Sequence, residues 1–163
     1  GDGRSPQGVF PLGRAFGYSP DPPPGVTYPY EPQASGAVCV DDVASLRYNR
    51  VFDADTLAVA RDWSSAEAMR RDLAHGDDLY EWGVVVRYND EGVPGAGSCI
   101  FLHVWRREDS PTAGCTAMAK GDLLEVLAWL EWAGSGGPVL VQGTRSYLES
   151  LRREGVLPYP PPG

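Results

Sequence analysis

Leu79-Tyr-Glu-Trp82-Gly-Val-Val-Val-Arg-Tyr88 and Ser98-Cys-Ile-Phe-Leu-His103-Val-Trp105 are two runs rich in β-branched and aromatic residues, separated by Asn89-Asp-Glu-Gly-Val-Pro-Gly-Ala-Gly97. Apolar runs of strand type bounded by a turn-rich link read as a β-hairpin, and this pair is expected at the centre of the sheet. The second run ends on a histidine and leads into Arg106-Arg-Glu-Asp-Ser-Pro111-Thr112-Ala113-Gly114-Cys115-Thr-Ala117-Met118. Pro111 and Gly114 punctuate a loop able to return Cys115 to the end of the histidine strand.

Outward from this centre, strands continue to dominate. Fifteen prolines and twenty glycines argue against an all-helical chain and for strands joined by turns. Ser64 and Glu67 have capping-box spacing, which predicts a helix from Ser64 to just before His75-Gly76, with His75 exposed at its end. A second helix is predicted from Lys120 to about Ala133, burying Leu123, Leu124, Leu127, Leu130 and Val126. Pro138–Gln142 reads as a buried strand, and Thr144–Arg153 as a last helix closed by Gly155. Residues 19–36, containing Pro20-Asp-Pro-Pro-Pro24, read as an extended surface segment, and 156–163 as a loose tail. There is no internal repeat, and 163 residues suit one domain over 1–163. Periodicity supports a mainly β domain with short helices.

The chemistry concentrates in the loop. A thiol attacks a carbonyl as thiolate, a minor species near neutrality, so a nucleophilic cysteine needs a base or cation beside it. His103, on a rigid strand, is the candidate base for Cys115. Gly114 lacks a Cβ and lets a carbonyl approach, and the backbone of Thr112, Ala113 and Gly114 with the Cys115 N–H is a candidate oxyanion site. A third group should orient the imidazole: Asp41, Asp42, Asn49, Thr112 and a backbone carbonyl are all open. Trp82, Tyr88 and Trp105 are candidates to line a groove, against the ordinary alternative of core packing, and Arg106 is a candidate grip for a substrate carboxylate.

Other classes are disfavoured. A net charge of −8 does not suit nucleic acid, whose phosphates require clustered Lys and Arg. Apolar stretches such as Val84–Val86 and Ile100–Leu102 fall far short of the roughly 20 residues of a spanning helix, so membrane association would require a segment outside this sequence. Three cysteines and a histidine at scattered positions lack the paired spacing of a zinc site, and no metal or cofactor is expected. Cys39 and Cys99 are open to two readings, a disulfide that leaves Cys115 free or two buried thiols.

The spacing of His103, an eight-residue spacer and Thr112-Ala113-Gly114-Cys115 resembles the signature of the L,D-transpeptidase (YkuD-like) catalytic domain, in the variant with a Ser/Thr-X-Gly-Cys-X-Ala motif. Gly1-Asp-Gly-Arg-Ser-Pro-Gln-Gly-Val-Phe-Pro-Leu-Gly13 resembles that family's opening segment, and Cys39-Val-Asp41-Asp42 with Tyr48-Asn49 a downstream block. Most members carry a second histidine before the glycine and an asparagine or arginine two residues after the cysteine, where this chain has Ala113 and Ala117. The resemblance implies a β-sandwich with short helices, further strands upstream of Gly1, and an extracytoplasmic location in periplasm or cell wall. It also implies transfer of peptidoglycan stem peptides through a Cys115 thioester to give 3,3 or 1,3 cross-links, with carbapenem β-lactams as possible acylating agents. The alternatives are an L,D-carboxypeptidase or cysteine peptidase on wall peptides, and a non-catalytic peptidoglycan-binding domain. Papain-like enzymes usually place cysteine before histidine, opposite to the order here.

Overall fold

The two central runs pair as expected from their composition. Strands β6 (Trp82–Val86) and β7 (Phe101–Val104) are antiparallel, with Gly83 opposite His103 and Val85 opposite Phe101. The computed structural model describes residues 3–58, 60–131 and 137–157. Among these residues the chain is mainly β, with two sheets and a few short helices.

The larger sheet runs β2 (Tyr30–Pro32), β1 (Gly8–Gly17), β6, β7 and β8 (Thr116–Met118), with β9 (Val139–Gln142) also paired to β1. Strand β1 divides its second flank between two partners. Its first half, Gly8–Pro11, pairs antiparallel with β9, and its last three residues pair parallel with β2, after an irregularity between Leu12 and Ala15. The smaller sheet is β4 (Val51–Asp53), β3 (Ala37–Val40) and β5 (Ala66–Ala68).

Alternation along the strands sends side chains to two cores. Val84, Val86, Leu102 and Val104 join Leu12 and Ala15 on one face, where α2 (Lys120–Trp129) and the residue after it supply Leu123, Leu127 and Leu130. Burying each of these leucines contributes about 2 kcal/mol. On the other face Phe16 and Phe101 pack with Tyr80, Met69 and, from the smaller sheet, Ala37 and Cys39. The Cys39–Cys99 disulfide is formed and crosses this second core.

Several sequence expectations change. Ser64 caps no helix: its N–H and hydroxyl both donate to Asp42 Oδ2 at 2.7 Å, and Glu67 lies in β5 opposite Cys39. Only a single turn, α1 (Arg71–Ala74), is helical there, and His75 at its end is exposed. The Pro-rich segment is not all surface, because Val26 and Tyr28 are buried and Tyr28 donates to the Gly13 carbonyl at 2.9 Å. Strand β9 is half-buried rather than buried, with Val139 51% exposed, since β9 lies at an edge. The second helix ends at Trp129, and Ala133 lies outside the described residues, as does 158–163 of the expected tail. The last helix, α3 (Arg145–Arg153), starts as read, with Thr144 Oγ1 accepting from the Tyr147 N–H at 3.3 Å.

Candidate active site

Strands β7 and β8 run parallel with Leu102 opposite Thr116 and His103 opposite Ala117. One step back in this register, Cys115 meets Phe101, whose N–H donates to the Cys115 sulfur at 3.4 Å. Side chains two apart share a face, so Cys115 and His103 both project toward the second core. Both line a cleft of about 610 Å³ together with Thr112, Ala113, Tyr80 and Glu67.

The loop before Cys115 is held by its own residues. Thr112 Oγ1 donates to the Cys115 carbonyl at 2.7 Å and accepts from the Gly114 N–H at 3.4 Å. Gly114 has φ +135°, a region that side-chain-bearing residues avoid. A Cβ there would also stand 3.0 Å from the Arg4 carbonyl. The segment Arg4-Ser5-Pro6 forms one wall of the cleft.

His103 is 6% exposed, and its Nδ1 lies 2.7 Å from the Val104 carbonyl. A neutral ring facing the Val104 carbonyl donates from Nδ1, which leaves Nε2 as the unprotonated nitrogen, and the Leu79 carbonyl also acts on the ring. Burial pushes the imidazole below its ordinary value, against the opposing pull of the Val104 carbonyl. The half-buried Cys115 donates to the Cys99 carbonyl at 3.4 Å. Burial pushes this thiol up to about 12, with the Phe101 N–H opposing and the Glu67 charge adding to the rise. At rest the pair is therefore a neutral thiol and a neutral imidazole, not a thiolate with an imidazolium.

The group facing His103 Nδ1 is the Val104 carbonyl. Asp42 is half-buried, and its carboxylate is held by Ser64 and the Ala44 N–H. Asn49 braces the hairpin instead, donating to the carbonyls of Tyr88 and Asn89 and accepting from the Cys99 N–H, each at 2.8 Å. Tyr88 lines the cleft and donates to the Ala96 carbonyl at 2.6 Å. Trp82 is on the opposite face of the sheet, packed against the first core beside Tyr30. Trp105 and Arg106 border a second hollow of about 380 Å³, lined also by Ala117, that shares His103 and Thr112 with the cleft. The Arg106 side chain is 65% exposed and lies 3.6 Å from Asp77.

Sequence reasoning missed the other wall. Tyr80 donates to Glu67 Oε2 at 2.8 Å, and its ring meets His103 edge-on with centroids 5.2 Å apart. Burial raises the Glu67 carboxyl, while the Tyr80 hydrogen bond opposes the rise. Arg71 lies over the Tyr80 ring at 5.5 Å and grips Asp77 with two bonds of 2.8 and 2.6 Å. Asp41 Oδ1, at the cleft wall, is buried without a hydrogen-bond partner. A pair joining Glu67 on β5 to Tyr80 in the turn before β6 leaves no local signal in the sequence. Among the described residues no group of three or more His, Cys, Asp or Glu is arranged to hold a metal ion, and no helix is long and apolar enough to cross a membrane.

No protein-family model, no curated protein and no solved structure matches this chain.

Proposed function

We propose that the chain is a cysteine-dependent acyltransferase of L,D-transpeptidase type, built on that family's sandwich architecture and acting on peptidoglycan stem peptides. The observation that carries this reading is the pairing of β7 with β8, which gives Cys115 and His103 one cleft while the Val104 carbonyl fixes Nδ1. The motif from His103 to Ala117 supplies the substrate class by resemblance.

The thiol proton passes to His103 Nε2 as sulfur attacks the carbonyl between an L-centre and a D-centre residue. Collapse of the tetrahedral intermediate releases the terminal D-residue, whose amine takes that proton, and leaves a Cys115 thioester. An acceptor amine then gives its proton to Nε2, attacks the thioester and forms the cross-link, and the thiol recovers the proton on leaving. The identity of that amine decides between 3,3 and 1,3 links. Water in its place makes the reaction an L,D-carboxypeptidase. Carbapenems are proposed to acylate the same sulfur. The Cys39–Cys99 disulfide supports an oxidising, extracytoplasmic location.

A neutral resting thiol favours a second reading, a wall-binding domain without turnover. Intact-mass analysis of wild type and Cys115→Ala with disaccharide-tetrapeptide muropeptides, followed by tandem mass spectrometry, separates the readings. Cys115-dependent dimers support transpeptidation and reveal the link, and Cys115-dependent tripeptide alone supports hydrolysis. Product formed equally by Cys115→Ala would overturn the thioester mechanism, and retention of muropeptide without any product would favour the binding domain.

A further inference from the structure

Two cavities meet at His103, and acyl transfer as described uses only one of them. The larger cleft holds Cys115, whereas the hollow of about 380 Å³ holds Trp105, Arg106, Arg107 and Ala117, and His103 lines both. Strand register sets their order. On the face that β7 and β8 turn toward the second core, Cys115 stands beside Phe101 and Ala117 beside His103, and Trp105 follows at the start of the hollow. Side chains two apart succeed one another along a face, so sulfur, imidazole and hollow lie in line with the imidazole in the middle.

That order bears on what each cavity receives. In the proposed reaction the attacked carbon stands at the Cys115 sulfur, and the departing nitrogen stands at His103, which gives it the proton taken from the thiol. The residue attached to that nitrogen then lies beyond His103, on the side of the hollow. Being terminal, it carries a free carboxylate.

We propose that the hollow is the site of the departing residue, a single small residue recognised through its free terminal carboxylate by Arg106 and Arg107. This rests on the reading of Cys115 as a nucleophile toward stem peptides, and it makes the site selective for a chain end.

The walls suit such a ligand. After Trp105 the chain turns through Asp109, at φ +64°, and the Ser110 N–H donates to the Arg107 carbonyl at 3.2 Å, which brings both arginines and Ser110 to one hollow. A guanidinium presents paired N–H donors that match a carboxylate. Arg107 has no ion pair among the described residues. Arg106 stands 3.6 Å from Asp77, whose carboxylate Arg71 already grips with two bonds. Glu108 and Asp109 are exposed and line neither cavity. Leu79, Trp105 and Ala117 supply apolar wall, and Ala117 leaves room that a larger side chain would fill.

The test is equilibrium binding to Cys115→Ala, which has no sulfur to acylate. Isothermal titration calorimetry compares a disaccharide-tetrapeptide muropeptide with its C-terminal carboxamide, two ligands that differ only in the terminal charge. The acid should bind about tenfold more tightly than the amide. Adding Arg106→Gln and Arg107→Gln should bring the acid down to the amide and leave the amide unchanged. Both arginines are exposed, so their replacement leaves the cores untouched. Arg14→Gln, on β1 and lining neither cavity, should preserve the difference. Ala117→Leu should weaken the tetrapeptide acid to the level of a tripeptide that lacks the terminal residue. Equal binding of acid and amide to Cys115→Ala, or a difference that survives loss of both arginines, would overturn the proposal and leave the acyl-transfer reading standing. Binding of neither ligand would overturn the proposal together with the stem-peptide reading.

Discussion

The carbonyl of Cys99 accepts the thiol of Cys115 at 3.4 Å, so the cysteine locked in the disulfide holds the one left free. Cys99 sits at φ +57°, in the left-handed region, and its N–H is held by Asn49 Oδ1 at 2.8 Å. The bridge to Cys39 thus fixes a strained residue that aims a carbonyl at the free thiol of Cys115.

Replacing both bridged cysteines by serine tests that role. The crosslink spans a sequence separation of 60 residues, and the loop entropy it removes from the unfolded chain corresponds to about 4 kcal/mol. Urea unfolding of the Cys39→Ser/Cys99→Ser variant should show a loss of about 3–4 kcal/mol, with faster alkylation of Cys115. A variant as stable as wild type would mean that the bridge contributes little.

His103 gives a pH signature of defined sign. Its folded pKa lies below the ordinary histidine value because burial disfavours the imidazolium. Between the unfolded value of about 6.5 and the lowered folded value, the unfolded chain binds more protons, so stability falls as pH falls through that window. Urea midpoints measured from pH 8 to 4 should carry this component in wild type and lose it in His103→Gln. Identical pH dependence in the two proteins would contradict a buried neutral ring.

Gly114→Ala should be costly at the site itself. At φ +135° with the Arg4 carbonyl 3.0 Å from the new Cβ, the residue must move or stay strained, at about 1–3 kcal/mol. Lower stability together with slower Cys115 acylation is expected. Unaltered kinetics in a folded Gly114→Ala would show that the loop tolerates another backbone path.

The helix packed beneath the larger sheet offers an internal comparison. Leu123 is fully buried and Trp129 is 78% exposed. Leu123→Ala should cost about 2–5 kcal/mol by chemical unfolding, whereas Trp129→Ala should remain within about 0.5 kcal/mol of wild type. Equal costs would place α2 differently on the sheet.

The central hairpin, the helix after Cys115 and the last helix were legible because each is written in local pattern: β-branched runs, a leucine stripe, a glycine that closes a helix. The Ser64–Glu67 spacing misled for a physical reason. Asp42 draws both Ser64 donors away, and Glu67 follows the strand register of Cys39, so tertiary pairing overrides a local cap. Strands β2, β4 and β5 have only three residues each, too few for alternation to register. Of the site, His103 and Cys115 were readable from spacing, as was their shared cleft. Tyr80 and Glu67 were not, because a hydrogen bond between residues 13 apart on different elements has no sequence period. A backbone carbonyl stood among the open partners of the imidazole, but Val104 could not be singled out, because a carbonyl carries no residue identity.

The divided pairing of β1 bears on how the protein emerges from the ribosome. Gly8–Pro11 finds its β9 ladder only in Val139–Gln142, and Gln142 also donates to the Pro6 carbonyl at 2.8 Å. Until those late residues are available, the first strand keeps an open flank with unpaired backbone groups, a template for wrong partners. Pairings this distant in sequence are slow to form. The wall of the cleft formed by Arg4-Ser5-Pro6 leads directly into that strand, so the cleft is completed among the last steps of folding, and a chain truncated before residue 139 would carry Cys115 without its finished wall.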